Sequence, residues 1–193
     1  MTDKELVEGI VEKNRRAIQF LISTYQKQVI KTAYYFVQNM EDAEDLSQEI
    51  FLDVIKEANH FRGNARISTW LYRITVNKSL NFIRKKKRMG FIHQLETIFH
   101  LHSEVQAGDG RAFISHETDL EAKEKKQILY ETVNRLPGNQ KVTFILSKFD
   151  NLSYREIADI MNLSLSSVES LIHRARMNLQ KQLLGTFPEY SKK

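Results

Sequence analysis

Ser153-Tyr154-Arg155-Glu156-Ile157-Ala158-Asp159-Ile160-Met161-Asn162-Leu163-Ser164-Leu165-Ser166-Ser167-Val168-Glu169-Ser170-Leu171-Ile172-His173-Arg174-Ala175-Arg176 spells two helices joined by a tight turn. Ser153 and Glu156, three apart, form a capping box in which each side chain satisfies a backbone amide that the helix itself leaves unpaired. Ile157, Ala158 and Ile160 give the first helix a buried side, and small Ala158 permits a close helix crossing. After Asn162-Leu163-Ser164, a second helix capped by Ser164 carries Val168, Leu171, Ile172, Ala175, Leu179 and Leu183 at helical spacing. This is the pattern of a helix-turn-helix, whose second helix lays its N-terminal part in the major groove of DNA. The candidates for contact are Ser164, Ser166, Ser167, Glu169, Ser170, His173, Arg174 and Arg176. A glutamate accepts from the amino group of cytosine and arginine holds guanine or phosphate. Glu169 has the alternative of supporting the helix N-terminus, and His173 that of a solvated surface residue.

Upstream of this unit, a helix is expected from near Leu120 to just before Leu136-Pro137-Gly138, then another carrying Val142, Ile145, Leu146 and Phe149. Further back, residues 90 to about 126 lose both the apolar period and the positive charge. Ala107-Gly108-Asp109-Gly110 marks this segment as a flexible linker, although Ile92, Leu95, Ile98, Phe99 and Leu101 suit a short helix.

The N-terminal part reads as a helical domain. Leu6, Ile10 and Val11 begin a short helix; Ile18, Leu21, Ile22, Tyr25, Val29, Ala33 and Phe36 continue with helical spacing up to a break at Asn39. A polar loop, His60 to Arg66, precedes a long helix expected from Thr69, capped by Ser68, to about Arg88. Along it Arg73, Asn77, Asn81, Arg84, Lys85 and Arg88 recur as a stripe of amides and cations, suited to phosphate and base edges, while Leu71, Ile74, Leu80 and Ile83 supply packing. Trp70 is either core or a flank for an unstacked base.

Between these parts of the first domain, Asp42-Ala43-Glu44-Asp45-Leu46-Ser47-Gln48-Glu49-Ile50-Phe51 is acidic. Asp45, Gln48, Glu49 and Leu52 share one helix stripe, opposite Leu46, Ile50 and Val54. Such a face repels phosphate and suits a basic protein partner; the alternative is acids favouring the positive end of a helix dipole.

Composition narrows the classes. Of 193 residues 41% are apolar and 10% aromatic, with two prolines, seven glycines and no cysteine. Few breaks and little β-branched alternation predict an all-α fold of two small helical domains joined by a flexible linker. Disulfides and thiolate metal sites are excluded, and no apolar run reaches the length of a signal peptide or membrane span, so a cytoplasmic location is expected. The net charge of +5 is unevenly placed: residues 1–90 carry 16 Lys/Arg against 11 Asp/Glu, residues 91–126 carry 4 against 7, and residues 127–193 carry 9 against 6. Two basic ends flank an acidic middle, as suits a nucleic-acid partner. Lacking a phosphate-binding glycine loop and clustered metal ligands, the chain is expected to be no enzyme and to need no cofactor or metal.

Taken together the segments resemble an alternative sigma factor of bacterial RNA polymerase, of the extracytoplasmic-function type. Asp42 to Phe51 is similar to that family's polymerase-clamp binding motif. Phe61-Arg62-Gly63 with Ser68-Thr69-Trp70-Leu71-Tyr72-Arg73-Ile74 and Asn77 is similar to its minus-ten recognition segment. Leu136-Pro137, Gln140 and Leu152-Ser153-Tyr154-Arg155-Glu156-Ile157-Ala158 through His173-Arg174-Ala175-Arg176 is similar to its minus-thirty-five domain. The resemblance implies region 2 over 1–90, a linker over 91–126 that threads the polymerase, and region 4 over 127–187. It implies that Asp42, Asp45, Leu46, Gln48, Glu49 and Leu52 bind polymerase, and that Arg62, Asn64, Arg66, Trp70, Arg73, Asn77, Asn81, Arg84, Lys85 and Arg88 bind the minus-ten element and a flipped base. The helix-turn-helix residues named above would then take the minus-thirty-five element. The implied partners are core RNA polymerase, through the clamp helices and flap of its largest subunits, promoter DNA, and an anti-sigma protein, with no membrane contact by this chain itself. Ser166-Ser167, Glu169 and Leu171 stand where the family often has a Gly-Thr pair and basic residues, and Asn81 where aspartate is frequent, which leaves the promoter sequence open.

A self-sufficient helix-turn-helix repressor or activator with a ligand-binding N-terminal domain accounts equally for the C-terminal half, but gives no reason for the acidic stripe. An RNA-processing enzyme would need a catalytic cluster that the sequence lacks.

Overall fold

The computed structural model describes residues 1–61, 63, 65–99 and 120–186, with side chains described for 1–61, 63, 65–89 and 127–184. The described residues form eight α-helices, one 3-10 turn and no strand: α1 (Asp3–Val11), α2 (Arg15–Val37), α3 (Met40–Glu57), the turn Ala58–His60, α4 (Ile67–Phe99), α5 (Leu120–Asn134), α6 (Gly138–Lys148), α7 (Tyr154–Met161) and α8 (Leu165–Thr186). Each early boundary has a local cause. Thr2 and Glu5 form a capping box on α1, Asn14 accepts from Arg16 to start α2, and Gln38 takes a left-handed conformation (φ 57°) that stops it. Asn39 then caps α3.

Helices α1 to α3 and the first part of α4 enclose one core, with Leu6, Ile10, Leu21, Val29, Ile50, Val54, Ile67 and Leu71 buried. Burying each such aliphatic side chain stabilises the fold by about 1.5–3 kcal/mol. The approach of α1 to α2 is close enough to require glycine: a Cβ on Gly9 would lie 2.7 Å from the Ala17 Cβ. Helices α5 to α8 enclose a second core around Val133, Val142, Ile145, Leu146, Ile157, Val168, Ile172 and Ala175.

Two expectations about α4 are corrected. It begins at Ile67, not Thr69, because the Ile67 amide is capped from afar by the Asp3 carboxylate (2.9 Å), so Ser68 lies inside the helix. It also runs past Arg88 to Phe99, into the stretch expected as linker, while α5 begins at Leu120 within the same stretch. Residues 100–119 of that stretch lie outside the described residues.

A third difference concerns packing. Phe36, expected within the first domain, is buried in the second core together with Tyr72 and Val76, and Leu80 and Ile83 pack against that core as well. The two halves therefore meet along α2 and α4.

Candidate nucleic-acid and protein-binding surfaces

Helix α3 separates its two sides as its sequence period dictates. Ala43, Leu46, Ile50, Phe51 and Val54 are buried, while Asp45, Gln48, Glu49 and Leu52 face solvent, Leu52 at 55% exposure. Leu46 is corrected from the expected contact set: at 3% exposure it belongs to the core and presents nothing to a partner. Two lysines of α4 reach this face. Lys86 pairs with Asp42 (2.8 Å), and Lys78 spans Asp53 (2.8 Å) and Glu49 (3.4 Å). The hydrogen bond it donates to the Asp53 carboxylate holds the Lys78 ammonium above its ordinary pKa. Exposed pairs contribute about 0–1 kcal/mol, so they orient the acids without consuming the face. Asp45 has no ion-pair partner among the described residues.

The loop before α4 turns at Gly63, whose φ of +71° suits glycine. Arg62 and Asn64 lie outside the described residues. Trp70 is half-buried against Phe61, ring centroids 5.1 Å apart, so one edge is core and the other reaches solvent. Phe61, Gly63, Ala65 and Arg66 wall a groove of about 730 Å³ whose far side is Asp3, Lys4, Val7 and Glu8 of α1. Its mixed charge suits an uncharged base better than a phosphate.

On α4, Asn81, Arg84, Lys85 and Arg88 are exposed as one basic band, with Arg84 donating to Asn81 (3.4 Å). Arg73 and Asn77 are differently placed. The Arg73 guanidinium donates to the Asp159 carbonyl of α7, and Asn77 lines a groove whose opposite wall is Asn139, Val142, Ile160, Met161 and Asn162.

The C-terminal unit has the local geometry its sequence predicts. Ser153 and Glu156 satisfy each other's amides, and this bonding holds the Glu156 carboxyl below its ordinary pKa. Asn162 adopts the left-handed conformation (φ 53°) that ends α7, which asparagine tolerates better than most residues. Ser164 Oγ accepts from the Ser167 amide (3.2 Å) and lies within 3.0 and 2.8 Å of the Ser166 and Ser167 hydroxyls. Those three hydroxyls thus serve the cap of α8. Ser164, Ser166, Glu169, Ser170, His173, Arg174 and Arg176 are exposed and Ser167 is half-buried.

Several residues were not singled out from the sequence. Lys78 and Lys86 pair with the acidic face, and Lys31, Thr32, Lys141 and Asp150 join the two halves. Lys141 had one visible signal, a charge beside Val142 and Ile145 on a face otherwise apolar.

Among the described residues no group of His, Asp or Glu is placed to hold a metal ion, and no helix is long and apolar enough to cross a membrane. The chain matches the family Sigma-70 region 2 over residues 21–89 and the family Sigma-70, region 4 over residues 126–179. It is 32% identical over 177 residues to an ECF RNA polymerase sigma-E factor of Escherichia coli, covering 91% of each chain. It is 29% identical over 190 residues to an RNA polymerase sigma-H factor of Pseudomonas aeruginosa, covering 94% of this chain and 93% of the relative. Among solved structures, CnrH in complex with the cytosolic domain of CnrY superposes with a TM-score of 0.66 at 20% identity over 94% of this chain and 96% of the other. The sigma factor RpoE in complex with the anti-sigma factor NepR from Bartonella quintana gives 0.59 at 21% identity over 86% and 95%. At these identities the two structures speak for the fold.

Proposed function

Because this chain belongs to the sigma-70 family of RNA polymerase sigma factors, in its extracytoplasmic-function branch, and so serves promoter recognition in transcription initiation, we propose how its own residues divide that work. Asp45, Gln48, Glu49 and Leu52, with Asp42 beside them, dock on basic clamp helices of core polymerase. The basic band of α4, with Arg73, Asn77 and the loop around Trp70, takes the minus-ten element, and the groove beside Arg66 receives the base turned out of the stack. The exposed N-terminal half of α8 takes the minus-thirty-five element as duplex.

The observation that carries this division is the separation of signs. On one domain Asp45, Gln48, Glu49 and Leu52 of α3 are exposed as an acidic stripe and Asn81, Arg84, Lys85 and Arg88 of α4 as a basic band, with Lys78 and Lys86 paired to acids of α3; the first suits a basic protein surface and the second DNA. The chemistry of nucleotide addition stays with the polymerase, and the site of action is the cytoplasm, where transcription takes place. An anti-sigma protein is proposed as a further partner, by analogy with the RpoE structure named above.

Run-off transcription with core polymerase on a promoter library tests the reading. Initiation from promoters sharing minus-ten and minus-thirty-five elements, only when the chain is added, is the expected result. Tight, sequence-specific binding by the chain alone at physiological salt, without polymerase-dependent transcripts, would select the repressor reading instead.

A further inference from the structure

Helix α1 has no part in the division of work set out above, and it lies ahead of the segment, residues 21–89, that matches Sigma-70 region 2. Its place in the fold is nevertheless fixed from several sides. Leu6, Val7 and Ile10 are buried in the first core, and Gly9 brings α1 so near α2 that a Cβ there would strike the Ala17 Cβ. At its first residue the Asp3 carboxylate accepts from the Ile67 amide (2.9 Å), where the loop from Phe61 ends and α4 begins. Helix α1 is thus tied to the same loop whose Phe61, Gly63, Ala65 and Arg66 form the near wall of the groove of about 730 Å³.

Four residues of α1 carry charge, and two of them are already engaged. Asp3 holds the Ile67 amide, and Glu5 accepts from the Thr2 amide (2.7 Å) in the capping box. Lys4 and Glu8 remain, one helical turn apart on the groove wall, the ammonium 3.8 Å from the carboxylate. Their side chains are 85% and 60% exposed, so the pair holds itself only weakly and exchanges partners at little cost.

We propose that α1 completes the base pocket: Asp3 is a positioning residue for the loop, and Lys4 and Glu8 are specificity-determining residues that read the base turned out of the stack. This rests on the reading that the groove receives that base. A base outside the duplex is identified by its Watson–Crick edge. An ionised glutamate offers acceptors only, and a lysine ammonium donors only. Side by side they match an edge on which an exocyclic amino group stands next to a ring nitrogen or a carbonyl oxygen. Cytosine, adenine and guanine carry such an edge; thymine has no amino group. The α1 wall therefore favours an amino-bearing base and disfavours thymine. Because α1 is anchored in the core and to the loop, the pair is presented in one fixed place, as discrimination requires.

Run-off transcription by reconstituted holoenzyme, from a library randomised across the minus-ten element, reads the preference directly. The exchange Lys4→Glu with Glu8→Lys keeps the net charge and an opposite-charge pair one turn apart on exposed positions, so circular dichroism should match the parent. At one minus-ten position it should lower the preference for an amino-bearing base over thymine about tenfold, the scale of one good side-chain pair with a base. Affinity for core polymerase and the minus-thirty-five preferences should not change. Asp3→Ala should relax the preference at the same position, and Asp3→Asn, which keeps an oxygen for the Ile67 amide, should restore it; failure of that rescue removes Asp3 as a positioning residue. Library preferences for the exchanged variant identical to the parent's overturn the reading role of α1. Ala65→Trp then locates the fault, since it fills the groove from the loop side without touching α1. If Ala65→Trp alters the preference while the exchange does not, the assignment to Lys4 and Glu8 alone has failed. If neither variant alters it, the groove receives no base.

Discussion

The Thr32 hydroxyl on α2 donates to the Asp150 carboxylate over 2.8 Å, joining two residues 118 positions apart in the sequence. This bond and the Lys31 ammonium 3.7 Å away both favour the ionised carboxylate, yet burial outweighs them and pushes the Asp150 pKa up to about 6. Where the two halves meet, burial, with Lys87 of α4 adding repulsion, also brings the Lys141 ammonium down to about 8.

These two shifts set a pH profile for the contact between the halves. Asp150 faces Lys31, Thr32 and Tyr35 of α2 and Tyr72 of α4, and Lys141 faces Phe36, Lys87 and Asn134. A carboxyl raised by that contact contributes stability that is complete below its ordinary value of 3.8 and is lost as pH rises through about 6. A lowered ammonium contributes stability that is complete above 10.5 and is lost as pH falls through about 8. Energy transfer between dyes attached at Lys56→Cys and Lys181→Cys, both exposed positions in a chain that lacks cysteine, should therefore pass through a minimum near pH 7. Asp150→Asn should abolish the rise on the acidic side alone.

Reversing the acidic stripe should remove polymerase binding. Asp45→Lys with Glu49→Lys places like charges against a basic surface, at a cost of several kcal/mol, about a hundredfold or more in affinity. Both residues are exposed, so circular dichroism should be unchanged. Titration of labelled core polymerase with the variant measures the effect; undiminished affinity would remove α3 from the interface.

Asn77 and Asn81 should act in promoter opening. Alanine at either position is expected to lower transcription from duplex promoters and to alter the base preferred in the minus-ten element. A pre-melted promoter should restore part of the activity, because the unstacking cost of about a few kcal/mol has been met beforehand. Permanganate footprinting of parent and variants reports on opening directly.

Glu169 should confer discrimination, not affinity. Its carboxylate is exposed on α8, where it can accept from a cytosine amino group and would repel phosphate, and a good side-chain pair with a base is worth about 1–3 kcal/mol against the wrong base. Glu169→Gln should relax one position of the minus-thirty-five element in a library selection. Arg174→Ala or Arg176→Ala should weaken binding to every sequence and flatten its dependence on salt. Identical selections for Glu169→Gln and the parent would make Glu169 a helix-end residue.

What could be read from the sequence was local. The capping box at Ser153 and Glu156, the turn at Asn162, the break at Asn39 and the two faces of α3 each follow from residues within one or two turns of one another. What could not be read was long-range. Ser68 is a good cap by type, but Asp3, sixty-four positions away, supplies the bond that starts α4 at Ile67. Leu46 belongs to a motif that implies contact, yet its position in the helix period places it in the core. Helical spacing revealed Phe36, Leu80 and Ile83 as apolar but not which half would cover them, since periodicity gives the direction of a side chain within its helix and not the identity of its neighbour.

Because Phe36, Tyr72 and Val76 are covered by residues made long after them, the order of synthesis matters. At about 5–20 residues per second, the roughly one hundred residues from Val76 to Leu179 take about 5–20 s to emerge from the ribosome. Throughout that interval the first domain is complete apart from one uncovered apolar strip on α2 and α4. A nascent chain stalled or truncated in the second half leaves that strip uncovered.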